Sequence, residues 1–193
     1  LLSVSLGAAE TTLLNLTSAY APFVNGGKKI NPTLISRIQD RRGKTIFSLN
    51  NRKCIGCDKF INENEKLPSI QNTNMRVFSE ETAYQMVSIL NGTVKRGTAK
   101  KLKSLNVPLA GKTGTTNKNF DAWFIGFSSN LVIGVYIGFD NPQTLGKFET
   151  GSKAALPVFK NFIESALFKN DFKEFKVPEN IYLTSLNYDT GLK

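Results

Sequence analysis

Five consecutive residues in the middle of the chain have types suited to binding an anionic, extended ligand. Lys112, Thr113 and Gly114 form a lysine-threonine-glycine triplet, and Thr115 and Thr116 follow directly. The lysine offers a fixed positive charge, and the threonine hydroxyls can donate hydrogen bonds to a carboxylate. Gly114 leaves room for a peptide that pairs with the strand backbone. The Thr115 N–H is suited to serve as half of an oxyanion hole.

The elements around the triplet predict that it lies on a strand of an antiparallel sheet. A polar turn, Asn117 to Asn119, leads into the alternating segment Asp121 to Phe127. A second short turn then leads into the β-rich segment Leu131 to Phe139. Together with the strand of Lys112 these segments predict a three-stranded meander. Without this context, the triplet is better explained as a turn with an exposed lysine.

Three helices are predicted to pack on this sheet, because their apolar residues recur at helical spacing. They cover Thr11 to Val24, Ser79 to Gly92 and Ala154 to Phe168. Thr11 and Ser79 are predicted as N-caps of the first two helices, and Gly92 as the residue that ends the second.

The remaining segments are predicted to lie at the surface. Leu34 to Gln39 and Lys44 to Leu49 alternate around a turn that ends in Gly43, which predicts a hairpin. Residues 50–73 show no period and are interpreted as an insertion loop, and residues 170–193 as a loosely packed tail. We interpret residues 1–193 as one domain, and only part of a larger one.

The composition excludes several kinds of site. The 193 residues include no histidine, so Ser-His-Asp catalysis, Cys-His catalysis and His-ligated metal sites are excluded within the chain. We expect no metal and no cofactor. The two cysteines, Cys54 and Cys57, are too few for a structural zinc site, and a local disulfide or two idle thiols explains them better. The formal charge of +10 favours anionic partners, although a solvated basic surface explains it equally well.

Taken with its context, the central segment LAGKTGTTNKNFDAWFIGF closely resembles the penicillin-binding proteins that cross-link bacterial cell walls. The segments LVIGVYIGFDNP and TLGKFETGSKAALPVF that follow carry the same resemblance. The class A, bifunctional type is the most similar, and the resemblance covers nearly the whole chain. It implies the three-layer α+β fold of β-lactamases and transpeptidases, an antiparallel sheet flanked by helices, of which this chain holds a part.

The resemblance implies roles for the residues of the triplet. Lys112, Thr113 and Gly114 correspond to the third motif of this serine acyl-transfer family. Lys112 would shape the electrostatics of the nucleophilic serine. Thr113 and Thr115 would hold the terminal carboxylate of a peptidoglycan stem peptide or of a β-lactam. Thr116, whose hydroxyl follows them, is a further candidate substrate-binding residue. The expected activity is a serine-type D,D-transpeptidase on the outer face of the bacterial cytoplasmic membrane.

The chain departs from the family pattern in one respect. No serine is followed three residues later by lysine, although Thr98 to Lys101 and Thr150 to Lys153 have that spacing. Triplets similar to the second motif begin at Ser48, Ser104 and Ser185, and none is placed relative to the lysine-threonine-glycine triplet as the family places it. We therefore expect a C-terminal portion of a transpeptidase domain without its nucleophile, inactive alone. We also expect it to associate with itself or with the missing portion.

Two other functions compete with this interpretation. The segment from Asn106 to Thr113 is similar to a phosphate-binding loop, but its first glycine is missing and no helix follows. The basic run from Lys95 to Lys103 favours a non-catalytic module that binds cell wall or another anionic polymer. No aromatic residue lies in that run, so nucleic acid is not the expected partner.

Overall fold

The computed structural model describes residues 2, 4, 7, 9–49, 53–57, 67–71, 74–166, 172–187 and 189–193. At its centre lies a three-stranded antiparallel sheet of β5 (Ala110–Thr115), β6 (Ala122–Phe127) and β7 (Val132–Ile137), in that order. The predicted meander is therefore confirmed. Lys112 pairs with Ile125, which in turn pairs with Gly134 on β7. The strand that carries the triplet lies at the edge of this sheet.

Helices cover both faces of the sheet, which confirms the three-layer α+β fold. On one face Phe124 contacts Phe159 of helix α3 (Leu156–Ala166), with ring centroids 5.0 Å apart. On the other face Phe127 lies 6.3 Å from Tyr20 of helix α1 (Leu13–Val24). Adjacent residues of a strand point to opposite faces, so each strand contributes to both layers of the core.

Two of the helices begin later than the sequence predicted. The N-cap of α1 is Thr12, whose hydroxyl accepts a hydrogen bond from the Asn15 N–H at 3.1 Å, and not Thr11. Before α3 the chain forms one wide turn of π-helix, Gly151–Ala155, so the α-helix starts at Leu156 rather than at Ala154. This turn packs against the sheet, a tertiary contact that apolar spacing along one segment does not reveal.

The second helix, α2 (Glu80–Lys95), runs past the residue that was expected to end it. Ser79 is the N-cap as predicted, and its hydroxyl accepts from the Thr82 N–H at 3.1 Å. Gly92 was wrongly predicted as the end of the helix. It is buried and the helix continues for three more residues, because there the helix packs closely against β5. A 3₁₀ helix, Lys100–Leu105, follows.

The surface segments form two small hairpins. Strands β1 (Arg37–Gln39) and β2 (Thr45–Ser48) pair antiparallel and are exposed throughout, as predicted for a surface hairpin. Strands β3 (Lys53–Ile55) and β4 (Ser69–Gln71) also pair, so the segment 50–73 is not a plain loop. Each of these strands has three residues, too few to show a period. Residues 50–52, 58–66 and 72–73 of that segment lie outside the described residues.

The cysteines and the tail each make a defined contact. Cys54 and Cys57 form a disulfide, one of the two states that the sequence left open. In the tail, the ring of Phe175 lies 6.0 Å from that of Phe127, and Phe172 packs against the core on the α3 side. Residues 182–187 and 189–193 are exposed. Within the described part of the chain, no helix has the length and apolar character needed to cross a membrane.

Candidate active site

The edge of the sheet at β5 is half covered and half open. Two side chains of α2 bind the first half: Asn91 Nδ2 donates to the Leu109 carbonyl at 2.7 Å, and Thr93 Oγ1 donates to the Gly111 carbonyl at 2.6 Å. Among the described residues, no side chain of α2 forms a hydrogen bond to β5 beyond Gly111. The expected open edge is therefore restricted to the second half of the strand, Thr113 to Thr115.

The backbone direction at this open half follows from the bond to Gly111. Alternate residues of an antiparallel strand direct their N–H and C=O groups to the same side. Since the Gly111 carbonyl points away from β6, the backbone groups of Thr113 and Thr115 point to that side as well. The side chain of Lys112 bends over this edge, and its Nζ donates to the Thr113 carbonyl at 2.8 Å. The arrangement leaves backbone groups positioned for an added extended strand.

Thr113 has a partner that its sequence neighbours do not suggest. Its Oγ1 lies 3.0 Å from Oγ1 of Thr98, which follows α2 by three residues. One of the two hydroxyls donates to the other, so the pair retains one hydrogen to offer to a ligand. The threonine-to-lysine spacing from Thr98 to Lys101 was noticed in the sequence. The structure links that position to the triplet through the Thr98 hydroxyl.

Thr115 is held by the wide turn before α3. The Gly151 N–H donates to Thr115 Oγ1 at 3.0 Å, so this hydroxyl accepts from the turn and keeps its own hydrogen to donate. The approach is too close for a side chain at position 151. A Cβ there would lie 2.4 Å from the Trp123 carbonyl oxygen and 2.5 Å from that of Gly114. The sequence contained no local signal for this contact.

Thr116 is engaged differently from the other threonines. Its hydroxyl accepts from the Asp121 N–H at 2.8 Å and donates to Asp121 Oδ2 at 3.2 Å, which closes the turn between β5 and β6. The hydroxyl hydrogen is therefore directed at a carboxylate of the protein. Its predicted role as a donor to a ligand stays a prediction. Asp121 was not singled out by the sequence analysis.

Asp121 also binds Tyr136 of β7, the residue that pairs with Trp123. Tyr136 Oη donates to Asp121 Oδ1 at 2.8 Å, and the ring of Tyr136 lies 4.6 Å from that of Trp123. The hydrogen bond to the carboxylate raises the pKa of the Tyr136 phenol above its ordinary value, and burial adds to this. Trp123 in turn pairs with Gly114, where a Cβ would press against the tryptophan Cβ at 3.2 Å.

The serines of the candidate second-motif triplets, and Thr150 of one threonine-to-lysine pair, lie in other elements or have other partners. Ser104 lies in the 3₁₀ helix and donates to the Lys101 carbonyl at 3.1 Å, Ser48 lies on the exposed hairpin, and Ser185 lies in the exposed tail. Thr150 pairs with Ser152 at 2.9 Å. Across the described ranges, no group of three or more cysteine and carboxylate side chains is placed to hold a metal ion.

The class of protein follows from this fold and this edge. A three-layer α+β domain with a lysine-threonine-glycine strand at an open sheet edge is the arrangement that the sequence led us to expect of penicillin-recognising transpeptidases. Residues 1–164 match the family described as penicillin binding protein transpeptidase domain. The chain belongs to this family.

Individual relatives place the chain more narrowly. It is 41% identical over 191 residues to penicillin-binding protein 1A of Rickettsia prowazekii. The aligned region covers 98% of this chain and 24% of that protein. The crystal structure of penicillin-binding protein 1A from Haemophilus influenzae matches with a TM-score of 0.71 and 31% identity, over 96% of this chain and 30% of that one. The predicted resemblance to class A penicillin-binding proteins is confirmed. The chain spans about a quarter of the length of the curated relative.

A more distant structure supports the fold alone. Penicillin-binding protein A from Mycobacterium tuberculosis, solved as an imipenem acyl-enzyme complex, matches with a TM-score of 0.55 and 22% identity. The match covers 81% of this chain and 31% of the other.

Proposed function

We propose that this chain provides the lysine-threonine-glycine side of the active site of a serine-type D,D-transpeptidase that cross-links peptidoglycan. The observation that carries the proposal is the open half of β5, where Lys112, Thr113 and Thr115 present a cation, two hydroxyls and outward backbone groups together. The parent protein would act on the outer face of the bacterial cytoplasmic membrane. The nucleophilic serine would come from a part of the parent outside this chain.

In this proposal the open edge binds the donor stem peptide as an added strand. The terminal carboxylate of the peptide accepts hydrogen bonds from the hydroxyls of Thr113 and Thr115, and a β-lactam carboxylate takes the same place. The Thr115 N–H stabilises the oxyanion that forms when the serine attacks the penultimate carbonyl. Lys112 lies beside this position and stabilises the negative charge that develops there.

Fluorescent penicillin tests the proposal in the full-length parent protein. We expect covalent labelling of the wild type, a loss of at least about a hundredfold in labelling rate for Lys112→Ala, and no change for Lys44→Ala. Lys44 is the matched control because it is an exposed lysine on the surface hairpin, outside the candidate site. Normal labelling of Lys112→Ala would refute the assignment of the triplet.

The same reagent tests whether the serine lies elsewhere. This chain alone should remain unlabelled by mass spectrometry, whereas the parent should gain one penicillin. A covalent adduct on the isolated chain would show that one of its own hydroxyls is the nucleophile.

A non-catalytic function has one observation in its favour. Three lysines of the 3₁₀ helix, Lys100, Lys101 and Lys103, are exposed, while Leu102 and Leu105 of the same segment are buried in the core. This regular basic face follows directly after Thr98 and would suit an anionic polymer of the cell wall. Salt-sensitive binding of such a polymer, together with no penicillin labelling of the parent, would favour this function.

A further inference from the structure

The disulfide between Cys54 and Cys57 is not used by the proposed chemistry and lies outside the central sheet. It belongs to the separate two-stranded sheet of β3 and β4. Cys54 pairs with Ile70 of β4, and Cys57 follows the end of β3 by two residues, in the turn. Neither cysteine belongs to the core clusters of the described residues. The bond therefore joins two neighbouring positions of one surface hairpin.

A purely stabilising role explains this bond poorly. The stabilisation that a disulfide provides grows with the length of the loop that it closes. This one joins residues only three positions apart. The strands beside it are already held together by their backbone pairing, which runs from Lys53 with Gln71 to Ile55 with Ser69. The disulfide therefore adds little to the constraint that the two strands provide.

The disulfide is accessible from the surface of the protein. Both cysteines are exposed. Gly56 lies between them with a backbone φ of +83°, and a Cβ built there would lie 3.9 Å from the Pro68 Cα, an ordinary contact. Exchange with an external thiol requires that a thiolate can reach one of the two sulfurs, and exposed disulfides are the ones that react in this way. The position of this bond meets that requirement.

The cysteine pair suits the substrate of an exchange reaction better than its catalyst. Catalytic cysteine pairs commonly lie at a helix N-terminus, which lowers the pKa of the attacking thiol. Cys54 lies on a strand and Cys57 in a turn, and no helix begins within the described residues 53–57. The sequence contains no third cysteine, so within this chain each thiol can re-form a disulfide only with the other. Reduction of the pair is therefore reversible without rearranged pairings.

An exposed apolar side chain lies beside the disulfide. Ile70 is the residue that pairs with Cys54, and it is 66% exposed. Side chains of directly paired residues project from the same face of an antiparallel sheet, so Ile70 projects on the face that bears Cys54. A protein that brings its own thiolate to the disulfide would cover this isoleucine, which favours contact because apolar surface leaves water. A small thiol would gain nothing comparable there.

We propose that the Cys54–Cys57 disulfide is an exchange site for a protein dithiol oxidoreductase that docks on Ile70. A thiolate of the partner attacks one sulfur, the S–S bond breaks, and the other cysteine leaves as a thiolate. The partner's second thiolate then attacks the partner's own sulfur in the mixed disulfide and releases the remaining cysteine. Two electrons reduce the pair, the partner's dithiol becomes a disulfide, and its two protons end on Cys54 and Cys57. This inference does not depend on the transpeptidase function.

The test compares a protein dithiol with a small one on the full-length parent protein. Reduced thioredoxin and dithiothreitol are the probes, and differential alkylation with mass spectrometry follows the peptide that carries Cys54 and Cys57. At equal dithiol concentration we expect thioredoxin to reduce the wild-type bond at least about tenfold faster, because docking orients its thiolate. Ile70→Ser should slow the thioredoxin reaction by about three- to tenfold, as loss of one apolar contact residue does. It should leave the dithiothreitol rate unchanged.

The matched control is Ile46→Ser, because Ile46 is 65% exposed on β2 of the other hairpin. This variant should react with thioredoxin as fast as the wild type. Equal rates with thioredoxin and dithiothreitol would overturn the proposal of a protein partner. A thioredoxin rate for Ile70→Ser equal to that of the wild type would overturn the docking contact. Altered rates with both probes would show that Ile70 supports the hairpin itself, which also contradicts the proposal.

Discussion

The N–H of Gly151 donates a hydrogen bond to Thr115 Oγ1 at 3.0 Å, across 36 positions of the chain. This bond joins the wide turn before α3 to the end of the strand that carries the lysine-threonine-glycine triplet. It sets the direction in which the Thr115 hydroxyl can donate. The position of the proposed carboxylate-binding hydroxyl thus depends on a glycine that lies outside the motif.

Gly151→Ala is predicted to damage the site without touching the triplet. The added Cβ would meet the carbonyl oxygens of Trp123 and Gly114 at 2.4 and 2.5 Å, so the turn must move away from the strand. We expect a fall in the free energy of unfolding of about 1–3 kcal/mol and a loss of penicillin labelling of at least about tenfold. Urea unfolding and labelling rates measure the two effects.

Ser152→Ala is the control for this prediction, because it changes the next residue of the same turn without adding atoms. Its labelling rate should stay within a factor of about two of the wild type. If Gly151→Ala labelled as fast as Ser152→Ala, the contact with Thr115 would not matter for the reaction.

Thr98→Val is predicted to weaken the site through Thr113. The substitution keeps the shape of the side chain but removes the hydroxyl that lies 3.0 Å from Thr113 Oγ1. We expect penicillin labelling to slow by about five- to tenfold, the usual worth of one neutral hydrogen bond, and Thr98→Ser to retain the wild-type rate. Equal rates for the valine and serine variants would exclude a positioning role for this hydroxyl.

Asp121→Asn is predicted to lower the pKa of the Tyr136 phenol towards its ordinary value of about 10. In the wild type the hydrogen bond to the Asp121 carboxylate holds this pKa above that value. Since the neutral phenol is the form that the fold favours, this stabilisation is complete below the pKa of the unfolded chain. It is lost as the pH rises through the higher pKa of the folded state.

Absorbance at 295 nm during alkaline titration follows the phenols, and the difference from Tyr136→Phe isolates the one of interest. The asparagine variant should show that phenol titrating at lower pH than in the wild type, and its free energy of unfolding should depend less on pH above 10. An unshifted titration would mean that the carboxylate does not control the phenol in solution.

The features that depend on neighbouring residues could be predicted from the sequence. Alternation along β6 and β7, the short turns between them and the N-cap Ser79 are local, so the meander and the second helix were found with errors of one to three residues at the ends. The lysine-threonine-glycine triplet was informative only together with the segments around it, since a turn with an exposed lysine explains the triplet alone. Its place at the sheet edge followed from the order of the strands.

Residue types and local alternation thus predicted the strand that bears the candidate site and the kind of ligand proposed for it. The tertiary structure decided how much of the edge is open, since α2 covers it as far as Gly111. It also decided the partners of Thr113 and Thr115, which are Thr98 and Gly151. These contacts join residues 15 to 36 positions apart. They form only when the helices pack on the sheet and bring the segments together. The residue spacing within a single segment therefore does not predict these contacts.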